Sequence, residues 1–334
     1  MRGRRAKIRA SKRQTSGSAL LTVLWLSAAL SAIAFTVANT VRSETERTST
    51  AVDSLRAYYL ATGAIDRALV YVQWGGKYYT PPQPVMRFQF PSGEATVELI
   101  PESSKLNINQ ATPKDLTNLL ASLGTPEDRA AQIVAGILDW RASSAGGAYT
   151  QFDQHYLGLK QSFQARHASF EEIEELLLVQ GITPEMFYGH YVRDAQGRLT
   201  PVAGLKDCTS IYGAVNGFDA NTVEPALMRA IGISPDTVSA IVALRRASPI
   251  RSLDELAPFR ANEPAFARLT LGPSPIATLR STARLRLANG QFSMSNGQFS
   301  DVQRSVSALI AFIGPQNNPP FHILRWYDNA FSTR

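Results

Sequence analysis

The chain has 334 residues, enough for two or three compact units, and a composition of 44% hydrophobic and 18% charged residues that excludes an intrinsically disordered chain. Its formal net charge of +7 does not imply a nucleic-acid surface. Arg2, Arg4, Arg5, Lys7, Arg9, Lys12 and Arg13 all fall in the first 17 residues, which hold no acid, and the remaining 27 basic residues equal the 27 acidic ones. A single cysteine, Cys208, excludes an intrachain disulfide and reads as a small packing residue rather than a catalytic thiol.

After the basic leader (1–17) comes a run without charge from Ser18 to Val41. As a helix it extends about 36 Å, enough to cross a hydrocarbon core of about 30 Å. The cations before it, and the mixed charges Arg42, Glu44, Glu46 and Arg47 after it, keep the N-terminus cytoplasmic and export the C-terminal bulk. A secretory signal would offer Ala32-Ile33-Ala34 for cleavage, but the run exceeds a signal core of about 7–15 residues. Two readings stay open on pattern: a plain uncleaved anchor, and a prepilin leader cut between Gly17 and Ser18 that leaves the helix in the product.

Helical spacing continues through Val52, Leu55, Tyr59, Thr62, Ile65, Leu69 and Val72, which predicts one apolar stripe on a spine ended by Gly75-Gly76 and Pro81-Pro82. Met86–Phe90 and Ala95–Ile100 alternate about Pro91-Ser92-Gly93 as a hairpin, closing a unit 42–105. From 106 to 271 the pattern is helical. Gly124-Thr125-Pro126-Glu127, Gly181-Ile182-Thr183-Pro184-Glu185 and Gly232-Ile233-Ser234-Pro235-Asp236 repeat one turn. Its Gly ends a helix, Thr or Ser caps the next, and Pro takes the first position. Strand patterns return in 272–334 at Thr278–Ala288, Val302–Ile313 and Phe321–Tyr327, with turns at Asn289-Gly290, Asn296-Gly297 and Gly314-Pro315. A helical unit is thus inserted into a small α+β domain.

Asn107–Thr112 and Asn216–Thr222, each before a hairpin, resemble helix-hairpin-helix modules, which hold phosphate on a Gly-apolar-Gly turn. Here the second Gly is replaced by Ser234, Thr183 and Pro126 or Thr125, and 106–271 carries 14 basic against 18 acidic residues. That balance argues against displacing counterions from phosphate. His155, His167, His190 and His322 are dispersed without ligand spacing, and Glu171, Glu172, Glu174 and Glu175 alternate with Phe170, Ile173, Leu176 and Leu177 as a solvated helix face. No catalytic constellation is present in the sequence.

Gly17-Ser18-Ala19-Leu20-Leu21-Thr22-Val23-Leu24-Trp25, the spine segment Ala64-Ile65 with Arg67-Ala68-Leu69, and the closing Ile323-Leu324-Arg325-Trp326 resemble the K-type minor pseudopilin of type II secretion, the GspK family. The resemblance covers essentially the whole chain. It implies a type IV pilin-like α+β fold: a long transmembrane helix (18–41) and a small antiparallel sheet, with a large inserted all-α domain of helix-hairpin-helix or SAM-like modules. It implies no enzyme and no cofactor, and a place at the tip of the pseudopilus, helping to initiate assembly for export of folded proteins. The implied partners are the I, J and H types, the prepilin peptidase and the inner-membrane assembly platform, with the bulk periplasmic. The new amino terminus is implied to be methylated, although Ser18 departs from the usual apolar first residue. Pilins carry Glu at the fifth mature position, and here that position is Thr22, as the resemblance implies for a subunit with no neighbour above it. Calcium is known in the family, but Asp139-Trp140 is followed by Arg141, Ala142, Ser143 and Ser144, so the expected acids are missing. The rival readings are a periplasmic helix-hairpin-helix DNA-binding protein of the competence type and a type IV pilus minor pilin.

Overall fold

Between Ser16 and Trp74 there is no proline, and good helix formers dominate, so nothing interrupts a helix. The computed structural model, which describes residues 16–74, 84–143, 149–194, 196–259, 264–272, 274–286, 299–314 and 316–330, contains that helix as α1 (Ser16–Trp74). The chain divides after Leu55 into two units. In the first, the apolar side chains of α1 lie bare, with Leu20 75% and Trp25 73% exposed. The hydroxyls of Thr36, Thr40, Thr45 and Thr50 each donate to the carbonyl four residues back, which leaves them satisfied without water.

In the second unit the end of α1 packs on a sheet. The face it buries differs from the predicted stripe. Ile65, Leu69 and Val72 do face the core, but Tyr59 is 64% exposed, and the face is completed by Ala57, Leu60, Ala61, Ala64 and Ala68. Alanine carries too little side chain to mark an apolar stripe, yet these alanines are buried. A row of methyl groups instead lets the helix lie close on the strands, while Leu60, Ile65 and Leu69 supply about 1.5–3 kcal/mol of apolar burial each.

The sheet is five-stranded and antiparallel in the order β1-β2-β9-β10-β11. The predicted hairpin is β1 (Val85–Phe90) and β2 (Gly93–Pro101), turning at Pro91-Ser92. The late strands are β9 (Ile276–Arg286), β10 (Phe299–Phe312) and β11 (Phe321–Tyr327). Gly75-Gly76, Pro81-Pro82, Asn289-Gly290, Asn296-Gly297, Ser144 and Pro315 lie outside the described residues. β2 pairs with β9 from Gly93 opposite Leu285 to Pro101 opposite Ala277, across everything inserted between them.

The insertion has its own core, from Leu106 to Leu269. In order it holds β3 (Leu106–Asn107), α2 (Pro113–Ser122), α3 (Glu127–Arg141), α4 (Gln151–Leu157), α5 (Pro184–Tyr188), β4 (His190–Arg193), β5 (Leu199–Val202), α6 (Leu205–Cys208), β6 (Thr209–Ser210), β7 (Phe218–Asp219), α7 (Pro225–Ala230), α8 (Pro235–Ala247) and β8 (Leu269–Thr270). The helical reading is thereby joined by three short strand pairs, β3 with β6, β4 with β5 and β7 with β8. Gly124, Gly181 and Gly232 all take positive φ, as the repeated turn requires. Thr183 and Ser234 cap as expected. The first turn is one residue shorter, so Pro126 itself takes the cap position and Thr125 makes no cap bond there. The middle turn joins a 3-10 segment (Ile173–Leu178) to the single-turn α5, so it is not a helical hairpin.

This insertion, the head of the molecule, contains one architectural unit twice. Asn109 exchanges two bonds with the backbone of Phe170, at 2.8 and 3.0 Å, and Asn221 does the same with Ile250 at the same two distances. Arg141 donates to the carbonyls of Ile108 and Ala111, and Arg245 to those of Ala220 and Val223. Glu175 accepts from the N–H groups of Glu171 and Glu172, and Glu255 from those of Arg251 and Ser252. Each copy closes with a parallel strand pair.

A Cβ built on Gly93 would stand 2.1 Å from the Arg284 carbonyl oxygen in the pairing strand. Gly93→Ala is therefore expected to destabilise the full chain by about 1–3 kcal/mol, read as a lower denaturation midpoint in detergent. An unchanged midpoint would contradict this register.

Candidate functional site

Gly17 and Ser18 fall in the first turn of α1, where the backbone alone is described, and Thr22 is an exposed residue one turn further on. Cys208 is fully buried, and burial pushes its thiol well above the ordinary range, which leaves it a packing group. His155, His190 and His322 are exposed. Among the described residues no three His, Cys, Asp or Glu side chains converge as a metal-ligand group.

His167 is held differently. It is a non-glycine residue at φ 48°, with Nδ1 3.2 Å from the Asp139 carbonyl and Nε2 2.9 and 3.1 Å from the two Asp153 carboxylate oxygens. Both ring nitrogens face acceptors, so the geometry suits the imidazolium, which donates from both. Its side chain is 10% exposed and that of Asp153 1%. Asp153 also completes a capping box with Thr150 at the start of α4, and Thr150 donates onward to Asp139. The Asp153 bond raises His167 above its usual range, against the lowering by burial. Burial alone would raise Asp153, but the Thr150 backbone and His167 hold it below the ordinary carboxylate range. The cluster ties α4 and the segment after it to the end of α3.

The acidic run is no solvated helix face. It lies on and beside the 3-10 segment and reaches the last strand of the sheet. Glu172 accepts from Arg325 of β11, and Glu174 accepts from Lys206 of α6 at 3.2 Å. Lys206 Nζ stands 5.5–5.9 Å from the ring centroids of Phe187, Tyr188 and Tyr327, and Arg325 lies 5.8 Å from the Tyr327 ring. The Glu172 bond raises Arg325, and Arg325 lowers Glu172. At the other end, the nearly buried Glu102 accepts from Lys105 at 3.3 Å and from Thr278 of β9 at 2.7 Å. The head is thus clamped on the sheet where the chain leaves it and again at its last strand. The acidic run and Arg325 were visible in the sequence, but their pairing was not.

α2 and α7 pack together, with Asn118 donating to the Ala230 carbonyl and Arg229 to that of Ser122. The helix starts that follow carry Glu127, Asp128 and Asp236. Carboxylates at those positions repel the phosphate that a helix-hairpin-helix turn would bind.

Residues 98–189 match the family model described as type II secretion system (T2SS), protein K. This matched stretch is similar to the protein K domain of type II secretion. It begins in β2, runs into the first copy of the head and ends within it at Gly189, before β4. A chain of the crystal structure described as the GspK-GspI-GspJ complex from the enterotoxigenic Escherichia coli type 2 secretion system shares the fold. The TM-score is 0.54 at 19% identity, covering 86% of this chain and 100% of that one. Among curated proteins, none matches this chain. The K-type resemblance and the pilin-like α+β fold both hold, with one helix, α1, long and apolar enough to cross a membrane among the described residues.

Two measurements check these clamps. His167 contributes stability that is complete below its unfolded value near 6.5 and is lost as pH rises through the raised folded value. Unfolding free energy is therefore expected to fall across and above neutrality, and His167→Gln should flatten that slope; an unaltered slope would remove the imidazolium. A double-mutant cycle on Glu172→Ala and Arg325→Ala should give a coupling of about 0.2–1 kcal/mol that shrinks in high salt, since the pair is partly exposed.

Proposed function

We propose that this chain is the K-type minor pseudopilin of a type II secretion system, anchored in the inner membrane by α1 with its bulk in the periplasm. The observation that carries the reading is the match to a protein K domain, which begins in β2 and runs into the insertion between β2 and β9 of a sheet packed on the carboxyl end of a long helix. In this reading the prepilin peptidase cuts between Gly17 and Ser18, which removes seven cations and leaves a lipid-soluble rod. The subunit then joins the I, J and H types at the filament tip and helps start a pseudopilus that exports folded proteins. The likeness to a chain of a GspK-GspI-GspJ complex supports the I and J partners. No step in this role is catalytic, and no cofactor is assigned.

Thr22 fits the tip. A carboxylate in lipid costs a few kcal/mol or more unless paired, and the uppermost subunit has no neighbour above to pair it. Nucleic acid is the weaker reading because Glu127, Asp128 and Asp236 guard the turns it would use.

N-terminal sequencing of the mature protein is expected to start at Ser18, and Gly17→Val should retain the leader. The full chain in detergent should co-purify with I- and J-type pseudopilins and not with an unrelated single-span protein. A product starting beyond residue 34 and free in solution, or equal recovery with the control, would end the proposal.

A further inference from the structure

The hairpin of β4 and β5 lies beyond the matched residues 98–189 and, among the described residues, has no third strand. Its register sets Tyr191 opposite Pro201 and Arg193 opposite Leu199, so these four share one face, and that face is open: Tyr191 is 58% and Leu199 61% exposed. On the other face His190, Val192 and Thr200 are exposed as well. The edge strand β1 of the main sheet has Met86 and Phe88 buried behind it. Among the described residues β4 and β5 have no such backing, and a bare two-stranded ribbon is marginal in water until a further strand or a packed face supports it. Pro201 leaves β5 one N–H short, so β4 is the edge with its full set of donors. Where β4 begins, His190 also lines a cavity of about 170 Å3 with Leu120, Met186 and Leu205 as apolar walls and Arg129 and Glu185 at its polar side. That volume is below the roughly 300–1,000 Å3 of cofactor and drug-sized sites and suits one side chain.

We infer that β4 is a docking edge for an extended segment of a partner protein, in which apolar and acidic residues alternate. The segment adds as a third strand along His190–Arg193 and seats a terminal apolar side chain in the cavity. Charge selects the occupant. The four residues of β4 include Arg193 and no carboxylate, and the next acid, Asp194, is already occupied by Arg198 and the turn N–H groups of Gln196 and Arg198. Backbone bonds supply affinity and alternate side chains supply selectivity. A second copy of this chain would set Arg193 against a basic strand. The inference does not depend on the tip assignment.

The test uses the full chain in detergent with two labelled octapeptides, one alternating valine and glutamate and one alternating valine and lysine, each ending in leucine. The glutamate peptide is expected to bind about three- to tenfold more tightly and to slow amide exchange in 190–193. Arg193→Glu should invert the preference, and Tyr191→Ser should weaken both peptides. Equal binding of the two peptides, protection at Val85–Phe90 instead, or self-association abolished by Arg193→Glu would each overturn it.

Discussion

Everything in the second unit depends on β2 and β9 finding each other across the insertion. Loop-closure entropy grows only slowly with length, so a long excursion is tolerable if both ends are pinned in register. The pinning is thorough: the ladder runs from Gly93 to Pro101, Glu102 bonds Thr278 just beyond it, and Arg280 pairs with Glu98 within it. With β2 and β9 adjacent, β10 and β11 extend the sheet, and the alanine face of α1 has a surface to cover.

Polar groups, more than apolar ones, orient the parts. The two cores are separate, one of helix and sheet and one of head, and the polar contacts between them include Glu172 with Arg325, Lys206 with the Tyr327 ring, and Glu102 with Thr278. Such contacts are individually worth little in water but are directional. At the C-terminal end, Asp328 accepts from both Tyr58 of α1 and Trp326, fastening the last described residues to the helix.

Much of this is legible in the sequence. Period and turn chemistry placed α1, the β1–β2 hairpin, the left-handed glycines and the late strands within a few residues. The failures have physical causes. Alanine has too little side chain to register in an apolar stripe, yet Ala57, Ala61, Ala64 and Ala68 are the closest-packed part of α1. The glutamate run carries helical spacing, but its residues form only a short 3-10 segment, whose start Glu175 caps by accepting from the N–H groups of Glu171 and Glu172. The β4–β5 hairpin has no apolar alternation to announce it, because both faces are open. His167 gains its role from Asp153 and Asp139, which lie 14 and 28 positions earlier.

The doubled head also separates scaffold from ornament. The second copy, from Phe218 to Thr270, holds its shape with two helices, one asparagine bracket, one arginine and a strand pair. The first copy has all of this and, besides, α4 and the β4–β5 ribbon. What the twin holds its shape without is not required by the scaffold, so the surplus of the first copy is available for contacts that the second copy cannot make.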